Sequence, residues 1–246
     1  MKLTLRHYYH FQGNSSLQGD SLLSPAAWDN LRSEQDQSSA FFMPTDRDRW
    51  LQIALETPGL PVQAREIAAL ISWEGFTSVV SVGVGRALLE YHLKQQLPKL
   101  PLICSEFSPQ VVDRLRKVFL ECERVDCHDF TQAGWPRPPG RPLYLLNRVD
   151  TELTDEQWSA VFSRLHAEGV QDILMVATSF LTPRVLACEL KRHLMSWVIG
   201  RRLTFAGYLR TKSAFMDLWE PHYQVVRKVP AGALTGFLLT RHTAAH

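Results

Sequence analysis

The chain has 246 residues, of which 45% are hydrophobic and 21% are charged, as in an ordinary globular protein with a substantial buried core. No apolar run reaches the length of a membrane span, and the first residues lack the apolar stretch of a secretory signal, so we expect a cytoplasmic protein. The net charge of +2 is divided unevenly: from Arg184 onward there are ten Lys/Arg against three Asp/Glu, and before it seventeen against twenty-two. This imbalance favours an anionic small-molecule substrate, with a chance imbalance on a solvated surface as the alternative. The sequence lacks the dense basic stripe of a dedicated nucleic-acid binder.

The cysteines give no sign of a metal site. They form no CxxC pair, and Cys122, Cys127 and His128 lack a fourth ligand at a spacing suited to zinc. We therefore expect no bound metal and buried free thiols at all four positions, including Cys104 and Cys188.

The N-terminal third differs in character from the rest. Residues 1–72 are expected to form an arm and helices, and residues 73–246 the main domain. The aromatic cluster at residues 7–11 suggests a lid over an active site, with Tyr9 or His10 against substrate; plain packing is the alternative. Residues 12–40 are polar, with one short helix expected after Ser24. Further helices are predicted from Asp46 and after Pro61.

Strands and helices alternate from Thr77 onward. The predicted strands are residues 77–82, 102–105, 124–127, 143–147 and 172–177, and the predicted helices are residues 86–96, 109–121, 154–168, 183–198 and 214–219. Alternation of this kind predicts a parallel sheet covered on both faces. Two strand-like runs around Pro230 are too close for a crossover helix, so they must pair antiparallel. The expected fold is α/β and Rossmann-like, a seven-stranded, mostly parallel sheet that ends in an antiparallel hairpin.

The stretch "SVVSVGVGRALLEYHL" is a buried strand, a turn over Gly83 and Gly85, and a helix. Glycines at such a turn let a ligand approach the backbone closely. On its own the pattern fits the phosphate cradle of a dinucleotide enzyme, the amino-acid cradle of a methyltransferase, or a tight turn.

Polar and acidic residues follow the next strands at the edge where ligands bind in open parallel sheets. Glu106 can accept both hydroxyls of a ribose, Asp129 an adenine amino group, and Phe130 can flank the ring; Asn147 follows the fourth strand. Each has a structural alternative: Glu106 as an acid at a helix N-terminus, Asp129 as a turn former, Phe130 as core and Asn147 as an Asx turn.

In this order of parts, the sequence resembles the class I S-adenosylmethionine (SAM)-dependent methyltransferases over roughly residues 77–241. The resemblance implies SAM as cofactor, with the glycine turn at the methionine moiety, Glu106 at the ribose and Asp129 with Phe130 at the adenine. The expected cofactor-binding residues are Ser81, Gly83, Gly85, Glu106, Phe107, Asp129, Phe130 and Asn147. Two positions depart from the family pattern: Ser81 replaces the usual acid two residues before the first glycine, and Ala87 stands at the third glycine position.

Other features narrow the reaction. "NRVD" stands where methyltransferases acting on bases or glutamine keep (N/D)-P-P-(Y/F), and no Pro-Cys nucleophile is present, which leaves O-methylation of a small molecule or glycan. Expected catalytic residues are Asp150 as base and Arg148 and Arg210 as cations, with Glu152 and Tyr208 as further candidates; capping or surface roles are the alternatives. The competing functions are a non-catalytic SAM- or nucleotide-binding module, an NAD(P)-dependent oxidoreductase and an RNA methyltransferase. The sequence also leaves a homodimer open.

Overall fold

The structure is a computed structural model that describes residues 2–9, 42–200 and 203–242. The expected polar arm at residues 12–40, with its short helix, lies outside these ranges, as do His10 and Phe11. Within the described ranges, no helix combines the length and the apolarity that crossing a membrane requires.

The elements follow the predicted order and add two strands. The strands are β1 Thr4–Tyr9, β2 Ser78–Val82, β3 Leu102–Glu106, β4 Arg124–Cys127, β5 Pro142–Asn147, β6 Asp172–Val176, β7 Thr204–Arg210, β8 Tyr223–Ala231 and β9 Leu234–Arg241. The helices are α1 Arg47–Glu56, α2 Leu60–Glu74, α3 Leu88–Gln96, α4 Pro109–Val118, α5 Asp155–Ala167, α6 Pro183–Ile199 and α7 Lys212–Asp217.

The main sheet has seven strands in the order β4-β3-β2-β5-β6-β9-β8. The first five strands of that order are parallel, and β9 is antiparallel to both β6 and β8. The expected mostly parallel sheet with an antiparallel end is therefore confirmed. The order reverses between β2 and β5, which places the crevice for a ligand at the carboxyl ends of these strands.

Each face of the sheet carries its own hydrophobic layer because side chains alternate along every strand. On β2, Val79 packs with α1 to α4 on one face, and Val80 and Val82 pack with α5 on the other. All five residues of β2 are buried, as expected for a central strand covered on both sides. The N-terminal helices α1 and α2 contribute Trp50 and Ile67 to the first of these layers.

A second, two-stranded sheet was not predicted. β1 pairs antiparallel with β7, and we call this pair the N-terminal ribbon. The amide of Tyr208 donates to the carbonyl of Thr151 at 2.8 Å, just beyond β5. Gly207 has a φ of 122°, and a Cβ there would collide with the same carbonyl. The ribbon therefore rests directly on the loop at the carboxyl edge of the main sheet.

Candidate functional site

The glycine turn connects β2 to α3 through three residues in the left-handed region. Gly83, Gly85 and Ala87 have φ values of 63°, 57° and 53°. A Cβ at position 83 would lie 2.7 Å from Cγ1 of Val149, so a side chain there would meet both backbone strain and a steric clash. Because Ala87 adopts this conformation, α3 begins at Leu88 rather than at the expected Arg86.

Glu106 joins the carboxyl end of β3 to the glycine turn. Its Oε2 accepts a hydrogen bond from the amide of Gly85 at 2.8 Å, and its Oε1 accepts from the amides of Phe107 and Ser108 at 3.1 and 3.4 Å. The side chain is only 1% exposed. The carboxylate thus lies beside the turn, as the resemblance implies, and it also receives the first amides near the start of α4.

Asp129 and Phe130 follow β4 in conformations that match their structural alternatives. Asp129 is exposed, and its carboxylate accepts from the amide and hydroxyl of Thr131 at 2.9 and 2.7 Å. Phe130 is buried and stacks on Trp158 with the ring centroids 5.6 Å apart. This geometry favours a turn former and a core residue at the place where the resemblance implies contacts to adenine.

Asn147 is held by a residue that the sequence analysis did not single out. Its side-chain oxygen accepts from Nε2 of Gln63 on α2 at 2.9 Å. Gln63 is buried although it is polar, which fits a side chain placed to orient the end of β5.

Ser81 has a buried acid beside it. Its hydroxyl donates to Oε1 of Glu90 on α3 at 2.6 Å. Burial raises the pKa of Glu90 to about 7. A carboxyl group therefore lies beside Ser81, and it comes from the helix after the glycine turn rather than from β2.

The helix α1 supports the glycine turn from behind. The indole of Trp50 donates to the carbonyl of Arg86 at 2.8 Å, and its ring packs against Tyr91 and Phe119 with centroids 5.4 Å away in each case. Trp50 is fully buried. We infer that the N-terminal helices help to hold the turn in its conformation.

The residues expected to be catalytic at the end of β5 differ in accessibility. Arg148 is exposed and has a φ of 61°, a conformation that costs a non-glycine residue roughly 1–3 kcal/mol and clusters at functional sites. Asp150 is buried, and its carboxylate accepts from the amide and hydroxyl of Thr178 at 2.8 and 2.6 Å. Burial raises the pKa of Asp150. Asp150 therefore connects the ends of β5 and β6.

Arg210 does not face a cleft. Its guanidinium is buried and donates to Oδ1 of Asp155 at 2.6 Å and to the carbonyls of Asp150 and Leu153. Because these donors serve acceptors within the protein, the geometry favours a structural role and corrects the expectation that Arg210 clamps a substrate anion. Tyr208 is half-buried on the N-terminal ribbon, near the same arginine.

The other expected residues are placed as follows. Phe107 and Glu152 are half-buried at the carboxyl ends of β3 and β5, respectively. All four cysteines are free, but Cys127 and Cys188 are exposed, so the expectation of buried thiols is wrong for these two. Among the described residues, no group of three His, Cys, Asp or Glu side chains could hold a metal ion.

The comparisons with known proteins identify the fold. No protein-family model matches the chain, and no curated protein sequence matches it significantly. Among solved structures, the mitomycin 7-O-methyltransferase MmcR is 20% identical, with a TM-score of 0.57, over 89% of this chain and 73% of its own.

Two further solved structures match at lower identity. Human N-acetylserotonin methyltransferase in complex with SAM is 17% identical, with a TM-score of 0.55, over 98% of this chain and 79% of its own. Magnesium protoporphyrin IX methyltransferase from Synechocystis PCC 6803 with bound SAM is 12% identical, with a TM-score of 0.52, over 87% of this chain and 89% of its own. The chain therefore has the fold of the class I methyltransferases.

Proposed function

We propose that the chain is a SAM-dependent methyltransferase that methylates a hydroxyl oxygen of a small molecule or glycan. The observation that carries this proposal is the position of Glu106, whose carboxylate lies 2.8 Å from the amide of Gly85 at the carboxyl edge of a methyltransferase-type sheet. A carboxylate in that position can accept both hydroxyls of a ribose once a nucleoside displaces the amide.

The residues at the glycine turn fit such a cofactor. Gly83 leaves space that a Cβ would fill, and the positive φ of Gly85 and Ala87 turns the backbone at the start of α3. Among the described residues, Ala87 makes no side-chain cap hydrogen bond at the N-terminus of α3, where backbone amides can meet a polar group. Bound SAM would supply a methyl group activated by its sulfonium charge, and the turn with Glu106 would hold and orient it.

The described residues supply less for the adenine than the resemblance implies. The Asp129 carboxylate already accepts from Thr131, and the Phe130 ring is packed in the core. We therefore assign these two residues backbone contacts to the adenine and no side-chain contacts. On the acceptor side, Arg148 is the exposed cation at the end of β5, and we propose that it faces an anionic part of the acceptor. Asp150 acts as a positioning residue for the loop after β6.

The antiparallel end of the sheet argues against the nicotinamide alternative, since a doubly wound NAD-type sheet continues parallel. Isothermal titration of the purified chain with S-adenosylhomocysteine (SAH) and with NADH separates the two functions. We expect SAH to bind, and Glu106→Gln to weaken binding by about 1–3 kcal/mol because charge-assisted hydrogen bonds are lost.

The matched control is Glu220→Gln, an exposed glutamate near the start of β8, at the opposite edge of the sheet. Binding of NADH alone, or equal SAH affinity in the Glu106 variant and the control, would refute the proposal. A chain that binds SAH but transfers no labelled methyl group to any acceptor in a hydroxyl-compound panel would instead be the non-catalytic module.

A further inference from the structure

A second cleft lies at the same edge of the sheet, beside the proposed cofactor site. A cavity of about 290 Å³ opens between the N-terminal ribbon and α6, and we call it the ribbon cavity. One wall comes from the loops after β5 and β6, at Thr151, Thr178 and Ser179. Because β5 adjoins β2 and β6 adjoins β5, this cavity lies next along the edge from the glycine turn.

The lining of the ribbon cavity includes a buried acid with one carboxylate oxygen already hydrogen-bonded. Glu189 on α6 is 3% exposed. Its Oε1 contacts Nδ1 of His7 at 2.9 Å and accepts from Arg192, which also donates to the carbonyl of Tyr8 at 2.8 Å. Its Oε2 is buried and has no hydrogen-bond partner within the part of the chain that the structure describes.

An unpaired buried carboxylate oxygen is costly, so the arrangement points to a ligand that donates a hydrogen bond there. His7 and Arg192 determine which carboxylate oxygen of Glu189 is hydrogen-bonded within the protein. Burial lowers the pKa of His7 and so favours the neutral ring, and its Nδ1 faces both Oε1 of Glu189 at 2.9 Å and an N–H of Arg192 at 3.4 Å. His7 and Arg192 both contact Oε1, so Oε2 is the carboxylate oxygen without a partner among the described residues.

The other residues that line the cavity indicate the chemistry of the rest of the ligand. Val185 and Leu209 provide apolar surface, and Arg184 is an exposed cation on the first turn of α6. A volume of about 290 Å³ is at the small end of ligand sites, enough for a single substituted ring. The combination of one buried acceptor, an apolar wall and an outer cation suits a small aromatic or aliphatic hydroxy acid.

We propose that the ribbon cavity binds the methyl acceptor as a small hydroxylated carboxylic acid, with its hydroxyl on Glu189 Oε2 and its carboxylate toward Arg184. This inference rests on the methyltransferase function proposed above. In the transfer, the acceptor oxygen forms a bond to the methyl carbon and its proton passes to Oε2. The carbon–sulfur bond breaks with its electron pair left on sulfur, giving a neutral thioether.

The first test is a footprint on the unmodified full chain with 4-hydroxybenzoate as the probe. Cys188 is an exposed thiol in the cavity lining, and Cys127 is an exposed thiol at the end of β4 that serves as internal control. Alkylation by iodoacetamide is read by peptide mass spectrometry before and after addition of the probe, in one series with SAH and in one without. Within each series the probe should slow alkylation at Cys188 and leave it unchanged at Cys127. Unchanged alkylation of Cys188 at millimolar probe, in both conditions, overturns the proposal.

The second test compares ligands and variants by titration in the presence of SAH. Benzoate, which lacks the hydroxyl, should bind about tenfold or more weakly than 4-hydroxybenzoate, because it cannot donate to the carboxylate. Glu189→Gln should reduce that preference, since a neutral NH₂ group that donates to the phenol oxygen replaces a carboxylate oxygen that accepts from the phenol hydroxyl. Arg184→Gln should weaken 4-hydroxybenzoate and leave phenol unchanged.

The control is Glu220→Gln, which should keep the full preference for the hydroxyl. Equal affinities for benzoate and 4-hydroxybenzoate in the unmodified chain, or an unchanged preference in the Glu189 variant, refute the inference. SAH binding is measured on the same samples, so failure of the proposed function can be told apart from failure of this inference. Absence of SAH binding contradicts the methyltransferase function. Binding of SAH without binding of the probe contradicts only the acceptor site.

Discussion

The buried acid under the glycine turn makes the stability of the protein depend on pH. Glu90 is 3% exposed, and its carboxyl group accepts a hydrogen bond from the hydroxyl of Ser81 at 2.6 Å. Burial raises its pKa from 4.5 to about 7. In the unfolded chain the carboxyl ionises near pH 4.5, whereas in the folded protein it stays protonated until about pH 7.

The sign of the effect follows from this difference. Below pH 4.5 both states are protonated, and the full stability is present; it is lost progressively as pH rises from 4.5 through the folded pKa near 7. A shift of this size is equivalent to about 3 kcal/mol. Glu90→Gln keeps an acceptor for Ser81 but does not ionise, so the variant should gain about 2–3 kcal/mol relative to the unmodified chain between pH 5 and pH 8.

The assay is urea unfolding of both proteins at pH 5 and pH 8, with linear extrapolation of the free energy of unfolding to water. Glu56→Gln, at an exposed position on α1, is the matched control and should show no such gain. A difference between the Glu90 variant and the unmodified chain that stays constant from pH 5 to pH 8 would refute the reasoning.

Three further changes test other parts of the structure. Gly83→Ala should lower the free energy of unfolding by about 1–3 kcal/mol and weaken SAH binding, because its Cβ meets Val149 in a strained conformation. Gly169 is equally left-handed but lies in open space, so Gly169→Ala should leave the SAH affinity measured by titration unchanged. Arg210→Lys should lower the free energy of unfolding by about 2 kcal/mol in urea denaturation, since a lysine cannot donate to the same three acceptors in this geometry. An unchanged unfolding midpoint would show that the three acceptors do not require a guanidinium. We expect a homodimer through the exposed apolar face of α6, so light scattering should give twice the monomer mass for the unmodified chain and the monomer mass for Trp197→Ser. A monomeric unmodified chain would contradict that prediction.

The sheet could be predicted from the sequence because its signals are local. The central strands are short apolar runs, and several helices, although not α2 or α3, begin at side-chain caps that are visible in the sequence. Thr154 and Gln157 form the capping box predicted for α5, and Asp46 accepts from the amide of Arg49 at the start of α1. The hairpin followed from the shortness of the connection near Pro230, which excludes a crossover.

The N-terminal ribbon could not be predicted because its partners are far apart in sequence. His7 on β1 pairs with Gly207 on β7, and neither strand has a local hairpin turn to announce it. Gly207 allows the backbone of β7 to approach Thr151 closely. The environment of Arg210 could not be predicted either. An arginine in the sequence does not reveal that its guanidinium donates to Asp155 and to two backbone carbonyls in the folded protein.

The candidate site shows the same division. The glycine turn and Glu106 could be paired from the spacing of one helix and one strand, and they lie within hydrogen-bond distance. Glu90 was overlooked because it is on the buried side of a helix, nine residues after Ser81, where an acid gives no local pattern. Glu189 and His7 are 182 residues apart, so the pair could be found only once the ribbon was placed on α6.

The most direct measurement is a crystal structure of the chain with SAH. The account predicts the two ribose hydroxyl oxygens within hydrogen-bond distance of the Glu106 carboxylate, and the methionine portion against Gly83 and Gly85. A nucleoside bound elsewhere, with the carboxylate still accepting from the Gly85 amide, would contradict the assignment of this turn as the cofactor site.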